Sequence, residues 1–330
     1  MVLNILLQVM LLIFGFALLV KGADFFVDGV SDIAAHFGIP QMIIGLTIVA
    51  FGTSAPEAAI SITAALGGSG GVAVGNVVGS NIMNVWLILG ISAVVSPMIV
   101  KKNTVRIEIP FTIIVSGVFV VLGLLNSRLY IASGIILWVF MLIFLGYLLA
   151  SAKKEMKQQK FPDTKIPEGK NSETEKQPFQ LISTIIISVL GGASVIVGAN
   201  LAVNGATNLA KICNISEDII GLTIVAFGTS LPELVTSVTA SRKGKNDIAI
   251  GNIVGSNIFN LLFVVGTAAL ISPVSFDRGF LFDSIVMVAA VTTLFLLTVK
   301  RNKLSRGGGA LMLLLYASYF GYLVYEVATK

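Results

Sequence analysis

The chain has 330 residues, of which 55% are hydrophobic and 12% charged, with a formal charge of +5. A soluble domain is about 25% charged, so a deficit spread along the whole chain, with a mean hydropathy of +0.94, excludes an ordinary globular protein and indicates a polytopic membrane protein. One cysteine, Cys213, and one histidine, His36, exclude an intramolecular disulfide, a thiolate metal cluster and an imidazole relay.

A membrane-spanning helix needs about 20 predominantly apolar residues. Ten runs qualify: about 2–22, 40–66, 72–96, 107–125, 130–150, 180–202, 216–240, 247–272, 280–299 and 308–327. The first lacks a basic leader and a small-residue cleavage site, so it reads as a span rather than a signal peptide. The one long polar break, 153–178, contains Pro162 and Pro167 and little that is apolar. It reads as a flexible linker between two five-span halves, 1–152 and 179–330. Of the 22 basic residues, 17 follow odd-numbered spans, among them Lys101, Lys102, Lys153, Lys154, Arg242, Lys243, Lys300 and Arg301. Positive-inside asymmetry then places both termini outside and the linker in the cytoplasm. The basic excess is thereby accounted for without nucleic acid.

The chain repeats itself at a constant offset of 176. Ile43 to Glu57 is rewritten from Ile219 to Glu233, differing only where Ala55 faces Leu231. The offset holds from Gly75 to Ile82 against Gly251 to Ile258, and on to Ser96-Pro97 against Ser272-Pro273, which bounds two repeats at about 40–97 and 216–273. Five spans per half is an odd number, so the copies lie in opposite orientations. The loops agree: Gly67-Gly68-Ser69-Gly70-Gly71 is uncharged, whereas its counterpart is Ser241-Arg242-Lys243-Gly244-Lys245. The expected fold is an all-α polytopic membrane protein of ten transmembrane helices in two inverted five-helix repeats, an architecture of alternating-access transporters.

Each copy places polar groups inside an apolar run. Pro56 has no N–H for the carbonyl of Gly52, and its ring crowds that carbonyl. The helix is therefore expected to kink or unwind near Ala50 to Ser54, releasing carbonyls that mid-membrane depth tolerates only beside protein or a hydrated cavity. Thr53 and Ser54 add hydroxyls, and Glu57 lies one turn beyond Thr53 on the same face. The second copy supplies Ala226, Thr229, Ser230 and Glu233 from the opposite side. Span three offers Ser80 and, one turn on, Asn84; span eight offers Ser256 and Asn260. Two carboxylates, hydroxyls, amides and carbonyls, without sulfur or imidazole, suit hard cations. Ca²⁺ fits such a set, Na⁺ can share it, and Mg²⁺ fits less well because it dehydrates reluctantly.

Gly-Thr-Ser-x-Pro-Glu at Gly52–Glu57 and Gly228–Glu233, each followed by Gly-Ser-Asn-Ile at Gly79–Ile82 and Gly255–Ile258, resembles the two α-repeats of the cation/calcium exchanger superfamily, and most closely its prokaryotic sodium/calcium exchangers. The resemblance covers essentially all ten spans. It implies the sodium/calcium exchanger fold with a central diamond of ion sites. The implied ligands are the carbonyls of Ala50 and Ala226, the hydroxyls of Thr53, Ser54, Thr229, Ser230, Ser80 and Ser256, and the carboxylates of Glu57 and Glu233. Asn84 and Asn260 fall at the middle site. It further implies that spans one and six slide over the other eight, that Na⁺ and Ca²⁺ are transported without a cofactor, and that the chain works as a monomer in the cell membrane. Asn260 stands where the potassium-dependent branch has aspartate, so potassium dependence is not expected, and the linker is too short for calcium-sensing domains.

The bland readings differ by residue. Glycine and serine in membrane helices usually serve close packing, but two Glu, each after a proline and at matching places in inverted repeats, argue for a site. Asn81 and Asn257 read as helix locks. Asp24 and Asp28 read as interfacial, with Lys21 snorkelling or pairing with one of them. Glu108, Glu217, Asp218 and Asp283 read as structural residues near span ends. Asn214-Ile215-Ser216 is a weak glycosylation pattern. H⁺/Ca²⁺ exchange is the alternative to Na⁺/Ca²⁺ exchange. A cation channel is a different class, though such rings usually come from oligomeric symmetry. An intramembrane hydrolase lacks a group to activate Ser54.

Overall fold

The protein, as a computed structural model, is described at residues 2–160, 180–213, 224, 226–276 and 278–329. The first half holds α1 (Val2–Phe37), α2 (Gln41–Thr53), α3 (Ala55–Leu66), α4 (Gly70–Val95), α5 (Thr104–Leu125) and α6 (Ile131–Lys160). The second holds α7 (Leu181–Ile212), α8 (Ala226–Thr229), α9 (Leu231–Arg242), α10 (Asn246–Ile271), α11 (Arg278–Thr298) and α12 (Arg306–Thr329). Eight helices are long and apolar enough to cross a membrane, and the bent pair α2–α3 makes nine among the described residues. The run 216–240 is described from Ile224 and Ala226 onward, as α8 and α9. The expected linker begins at 153, but α6 continues as helix through Lys160; the remaining linker residues 161–178, Glu217, Asp218 and the Asn214 pattern lie outside the described residues.

Burial sorts the helices by solvent. In α10 and α4, 94% and 78% of the apolar window is buried, against 22% in α6 and 17% in α12. The repeat helices therefore form the centre and the flanking spans present Ile, Leu and Val to lipid. Two short antiparallel pairs tie the halves together at their ends. Met98–Ile99 (β1) pairs with Lys303–Leu304 (β4), and Arg128–Leu129 (β2) pairs with Val274–Ser275 (β3).

α1 and α7 pack along each other, with contacts from Gln8 to Gly29 on one and from Ser188 to Asn208 on the other. Glycines recur every seventh residue on both: Gly15, Gly22 and Gly29 on one, Gly191, Gly198 and Gly205 on the other. A methyl at Gly15 would lie 2.6 Å from the Ala202 nitrogen, and one at Gly198 2.6 Å from the Leu19 nitrogen. Backbone meets backbone here, and only glycine permits it.

The first span is longer than its hydropathy predicts. Charged residues from Lys21 onward end the apolar run at about 22, yet the helix continues to Phe37. Asp24 and Asp28 are stabilised there by the second half: Lys243 Nζ lies 3.0 Å from Asp24 and 2.8 Å from Asp28, and Lys245 Nζ 2.7 Å from Asp28. These carboxylates take Lys243 and Lys245 as partners, not Lys21. Burial works against the Lys243 charge, but Asp28 and Asp24 outweigh it and hold its pKa above the ordinary lysine value. The Lys243 contribution therefore persists through the usual lysine range and is lost as pH rises through that elevated value, while acid that protonates the two carboxylates breaks the clasp from the other side.

Candidate ion-binding site

The break in each repeat falls on one serine. Ser54, at φ −84° and ψ 8°, separates α2 from α3, with Pro56 in the first turn beyond it. Ser230, at φ −90° and ψ 7°, separates α8 from α9 in the same way, with Pro232 following. The bend between α2 and α3 is 52°. Proline at the start of a helix needs no N–H, so the second helix begins cleanly where the first must stop. Glu57 and Glu233 then sit in the first turns of α3 and α9, where free N–H groups favour negative charge.

The two halves meet through these residues. Ser54 Oγ donates to Glu233 Oε1 at 2.8 Å, and Ser230 Oγ donates to Glu57 Oε1 at 3.1 Å. Glu57 is 1% exposed and Glu233 0%, and the two are near enough to feel each other's charge. Each carboxylate thus spends one oxygen on the opposite repeat's serine. The other oxygens, Glu57 Oε2 and Glu233 Oε2, are buried with no hydrogen-bond partner among the described residues.

Four buried asparagines join α4 to α10, the helices that pack on α3 and α9. Asn81 Nδ2 donates to the Asn257 carbonyl and Asn257 Nδ2 to the Asn81 carbonyl, both at 3.2 Å. Asn84 Nδ2 donates to Asn257 Oδ1 at 3.0 Å, and Asn260 Nδ2 donates to Asn81 Oδ1 at 3.1 Å. Asn81 and Asn257 therefore lock α4 to α10. Asn84 and Asn260 use their amide groups as donors there, and their Oδ1 atoms are again buried and without a partner among the described residues. Local π-helical winding at Met83–Leu89 and Asn260–Val265 carries both, a distortion common at functional sites.

Thr53 and Ser256 converge on the Ala50 carbonyl. Thr53 Oγ1 donates to Asn252 Oδ1 at 3.0 Å and lies 3.3 Å from the Ala50 carbonyl. Ser256 Oγ reaches that carbonyl at 3.5 Å. Ser80 is buried, but also borders a cavity of about 650 Å³. Thr229 lines a second cavity of about 420 Å³. Ala226 opens α8. One expectation needs correction: the Ala50 carbonyl is not released, because α2 continues through Thr53 and the Ser54 N–H bonds it at 3.0 Å. A carbonyl has a second lone pair, so it can still serve as a ligand.

Sequence reasoning assigned no role to Asn76 and Asn252. Asn76 Nδ2 donates to Ser61 Oγ at 2.9 Å and to the Glu57 carbonyl at 3.3 Å, while Asn252 Nδ2 donates to Ser237 Oγ at 2.9 Å. They brace the turns that carry the two carboxylates. Their recurrence at the 176-residue offset, with Ser61 and Ser237, was the available signal.

Two carboxylate oxygens and two amide oxygens, pairwise related by the repeat, are buried without hydrogen-bond donors among the described residues, and all four are hard ligands. An unpaired buried carboxylate is costly in a low-dielectric interior, and a cation of matching charge relieves that cost. No sulfur or imidazole competes, which favours Ca²⁺ or Na⁺ over transition metals.

Comparison with known proteins agrees. The family model described as sodium/calcium exchanger protein matches residues 7–150 and 183–325. The inner membrane protein YrbG of Escherichia coli is 38% identical over 317 residues, covering 94% of each chain. The sodium/calcium exchanger MaX1 of Methanosarcina acetivorans is 32% identical, covering 96% of this chain and 98% of its own. Among solved structures, the sodium-calcium exchanger NCX_Mj, soaked with Na⁺ and Ca²⁺, superposes with a TM-score of 0.81 at 31% identity, covering 96% of this chain and 98% of that one.

Proposed function

The chain belongs to the sodium/calcium exchanger family, and on that premise we propose that it carries Na⁺ inward and Ca²⁺ outward across the cell membrane through one site built from two inverted halves. It is a multi-pass membrane transporter with the two-repeat exchanger fold, not an enzyme, and the ions are its substrates.

The observation that carries the mechanism is the reciprocal exchange of Ser54 with Glu233 and Ser230 with Glu57. It supports a cage completed only when both repeats contribute. Glu57 and Glu233 neutralise one Ca²⁺. Asn84 and Asn260 add neutral oxygens at the middle, and the hydroxyls of Thr53, Ser54, Thr229, Ser230, Ser80 and Ser256, with the Ala50 and Ala226 carbonyls, complete the sites for Ca²⁺ and Na⁺. Sharing of the carboxylates makes exchange obligatory, since an empty pair of buried charges is too costly to carry across. With more than two Na⁺ per Ca²⁺, net positive charge enters, and each such charge contributes about 2.3 kcal/mol per 100 mV.

The halves are 1–152 and 179–330, joined by the linker 153–178. The basic loops support a cytoplasmic side for that linker and Lys243 and an outer side for both termini. One chain contains the whole site, so the monomer is sufficient. Purified protein in proteoliposomes tests the coupling: at clamped pH, an imposed Na⁺ gradient should drive ⁴⁵Ca²⁺ uptake and a proton gradient should not. Uptake driven by protons and indifferent to Na⁺ would establish H⁺/Ca²⁺ exchange instead. Flux independent of ions on the far side would indicate a channel.

A further inference from the structure

The two copies of the site motif differ at one position, Ala55 against Leu231, and the structure treats these residues oppositely. Leu231 is 6% exposed and packs on Leu19 of α1 and Ala199 of α7. Ala55 is exposed. With Pro56, Ala59 and Ile60 it faces Asn200 and Val203 of α7 across the 420 Å³ cavity that reaches Thr229. α1 lies along α9, whereas the equivalent surfaces of α7 and α3 are separated by that cavity.

The second pair of equivalent surfaces repeats the contrast. Gly255 of α10 is pressed onto α2, so that a methyl there would meet the Leu46 carbonyl oxygen at 2.7 Å. Its counterpart Gly79 meets nothing within 4 Å among the described residues and, with Ser80, faces Phe227 of α8 across the 650 Å³ cavity. The end of the molecule bearing Gly67–Ser69 thus opens toward the site, and the end bearing Lys243 is shut. The ion-pair clasp of Asp24 and Asp28 with Lys243 and Lys245 lies at the shut end. At the open end the equivalents are Asn200 and Asn204 opposite Gly67 and Ser69, which cannot form it.

We propose that Leu231 is the residue that determines from which side ions reach the site: its side chain seals the Lys243 end against Leu19, and alanine in its place in the first copy leaves the other end unsealed. This rests on the alternating-access reading above. Opening the Lys243 end requires α1 to leave α9, exposing Leu231 and Leu19 to water and parting three ion pairs. Closing the opposite end sets only the methyl group of Ala55 where Leu231 sits in the second copy. Ligands are the same in both halves, so the bias toward one side comes from this pair of residues and the clasp that reinforces it, not from the ions.

Sided labelling of the full chain in oriented vesicles tests this with single cysteines in a Cys213→Ser background. Ala59→Cys reports on the open cavity, and Val235→Cys reports on its sealed counterpart. A membrane-impermeant maleimide should label Ala59→Cys from the Gly67 face and spare Val235→Cys from the Lys243 face. Adding Leu231→Ala should speed Val235→Cys labelling at least about tenfold, a population change well within the loss expected for a packed leucine, and should slow labelling of Ala59→Cys. Leu231→Val should give a smaller shift in the same direction if Leu231→Ala does not fold. Ala55→Leu should slow labelling of Ala59→Cys. Unchanged Val235→Cys labelling in folded Leu231→Ala or Leu231→Val protein overturns the proposal. Labelling reads access without regard to the ion carried, so failed Na⁺-driven Ca²⁺ uptake by the unsubstituted protein would overturn the transport reading separately.

Discussion

Glu57→Gln preserves the volume of the side chain and an oxygen that can accept from Ser230 Oγ, which lies 3.1 Å from Glu57 Oε1. What it removes is one of two charges in a site where both carboxylates are 0–1% exposed. A Ca²⁺ ion balanced by Glu57 and Glu233 would then carry one uncompensated positive charge. Leaving one partner of a buried pair uncompensated costs about 3–5 kcal/mol. At about 1.4 kcal/mol per tenfold, Ca²⁺ binding should weaken between roughly a hundredfold and several thousandfold. The ion-free protein should be no less stable, because Glu57 Oε2 has no hydrogen-bond partner to lose among the described residues. Thermal unfolding across a Ca²⁺ titration measures both quantities, since bound ligand raises stability in proportion to the logarithm of its excess over Kd. ⁴⁵Ca²⁺ uptake at graded Ca²⁺ supplies the transport arm. A folded Glu57→Gln protein that Ca²⁺ stabilises within a factor of about ten of the unsubstituted chain would refute the assignment of that carboxylate as a ligand.

The other expectations are more local. Ser54→Ala and Ser230→Ala each remove the donor to the opposite carboxylate, so each should lower the stability of the ion-free protein by about 1–3 kcal/mol; equal melting to the unsubstituted chain would show that the cross-repeat bonds are incidental. Gly255→Ala should destabilise by about 1–3 kcal/mol through overpacking, because its methyl would also meet Ala50 Cβ at 2.8 Å, whereas Gly79→Ala, with nothing within 4 Å among the described residues, should be tolerated; equal losses in thermal melting would contradict the closed-against-open contrast. Asn260→Asp puts a third carboxylate where the amide oxygen is buried and unpartnered among the described residues and should change ion preference or the pH dependence of uptake more than it changes stability; unchanged selectivity among Na⁺, K⁺ and H⁺ gradients would make the position peripheral.

Much of this site was legible because repetition acts as an internal control. The offset of 176 singled out Glu57 and Glu233, and the structure joins them through Ser54 and Ser230. The rewritten hairpins make the same point. Only one glycine position is common to the turns that cap α3 and α9, and Gly68 and Gly244 both need it, at φ +77° and +72°. The rest was hidden for physical reasons. Hydropathy ends the first span at its first charges and cannot anticipate that lysines more than 200 residues away will stabilise Asp24 and Asp28. π-helical winding around Asn84 and Asn260 leaves no periodic trace in so apolar a run. The Ala55 and Leu231 difference was visible in the letters, but its meaning depends on which side of the molecule is packed.

The glycine seam between α1 and α7 limits how the outer pair can travel. Its matching register recurs only every seventh residue, so the next alignment that restores the contact lies about 10.5 Å away at 1.5 Å per residue. Any shorter slip drives a side chain such as Leu19 into facing main chain, where no room exists even for a methyl group. The two rods therefore have no small relative step available, and an excursion across the core has to be made by both together, as a single carriage.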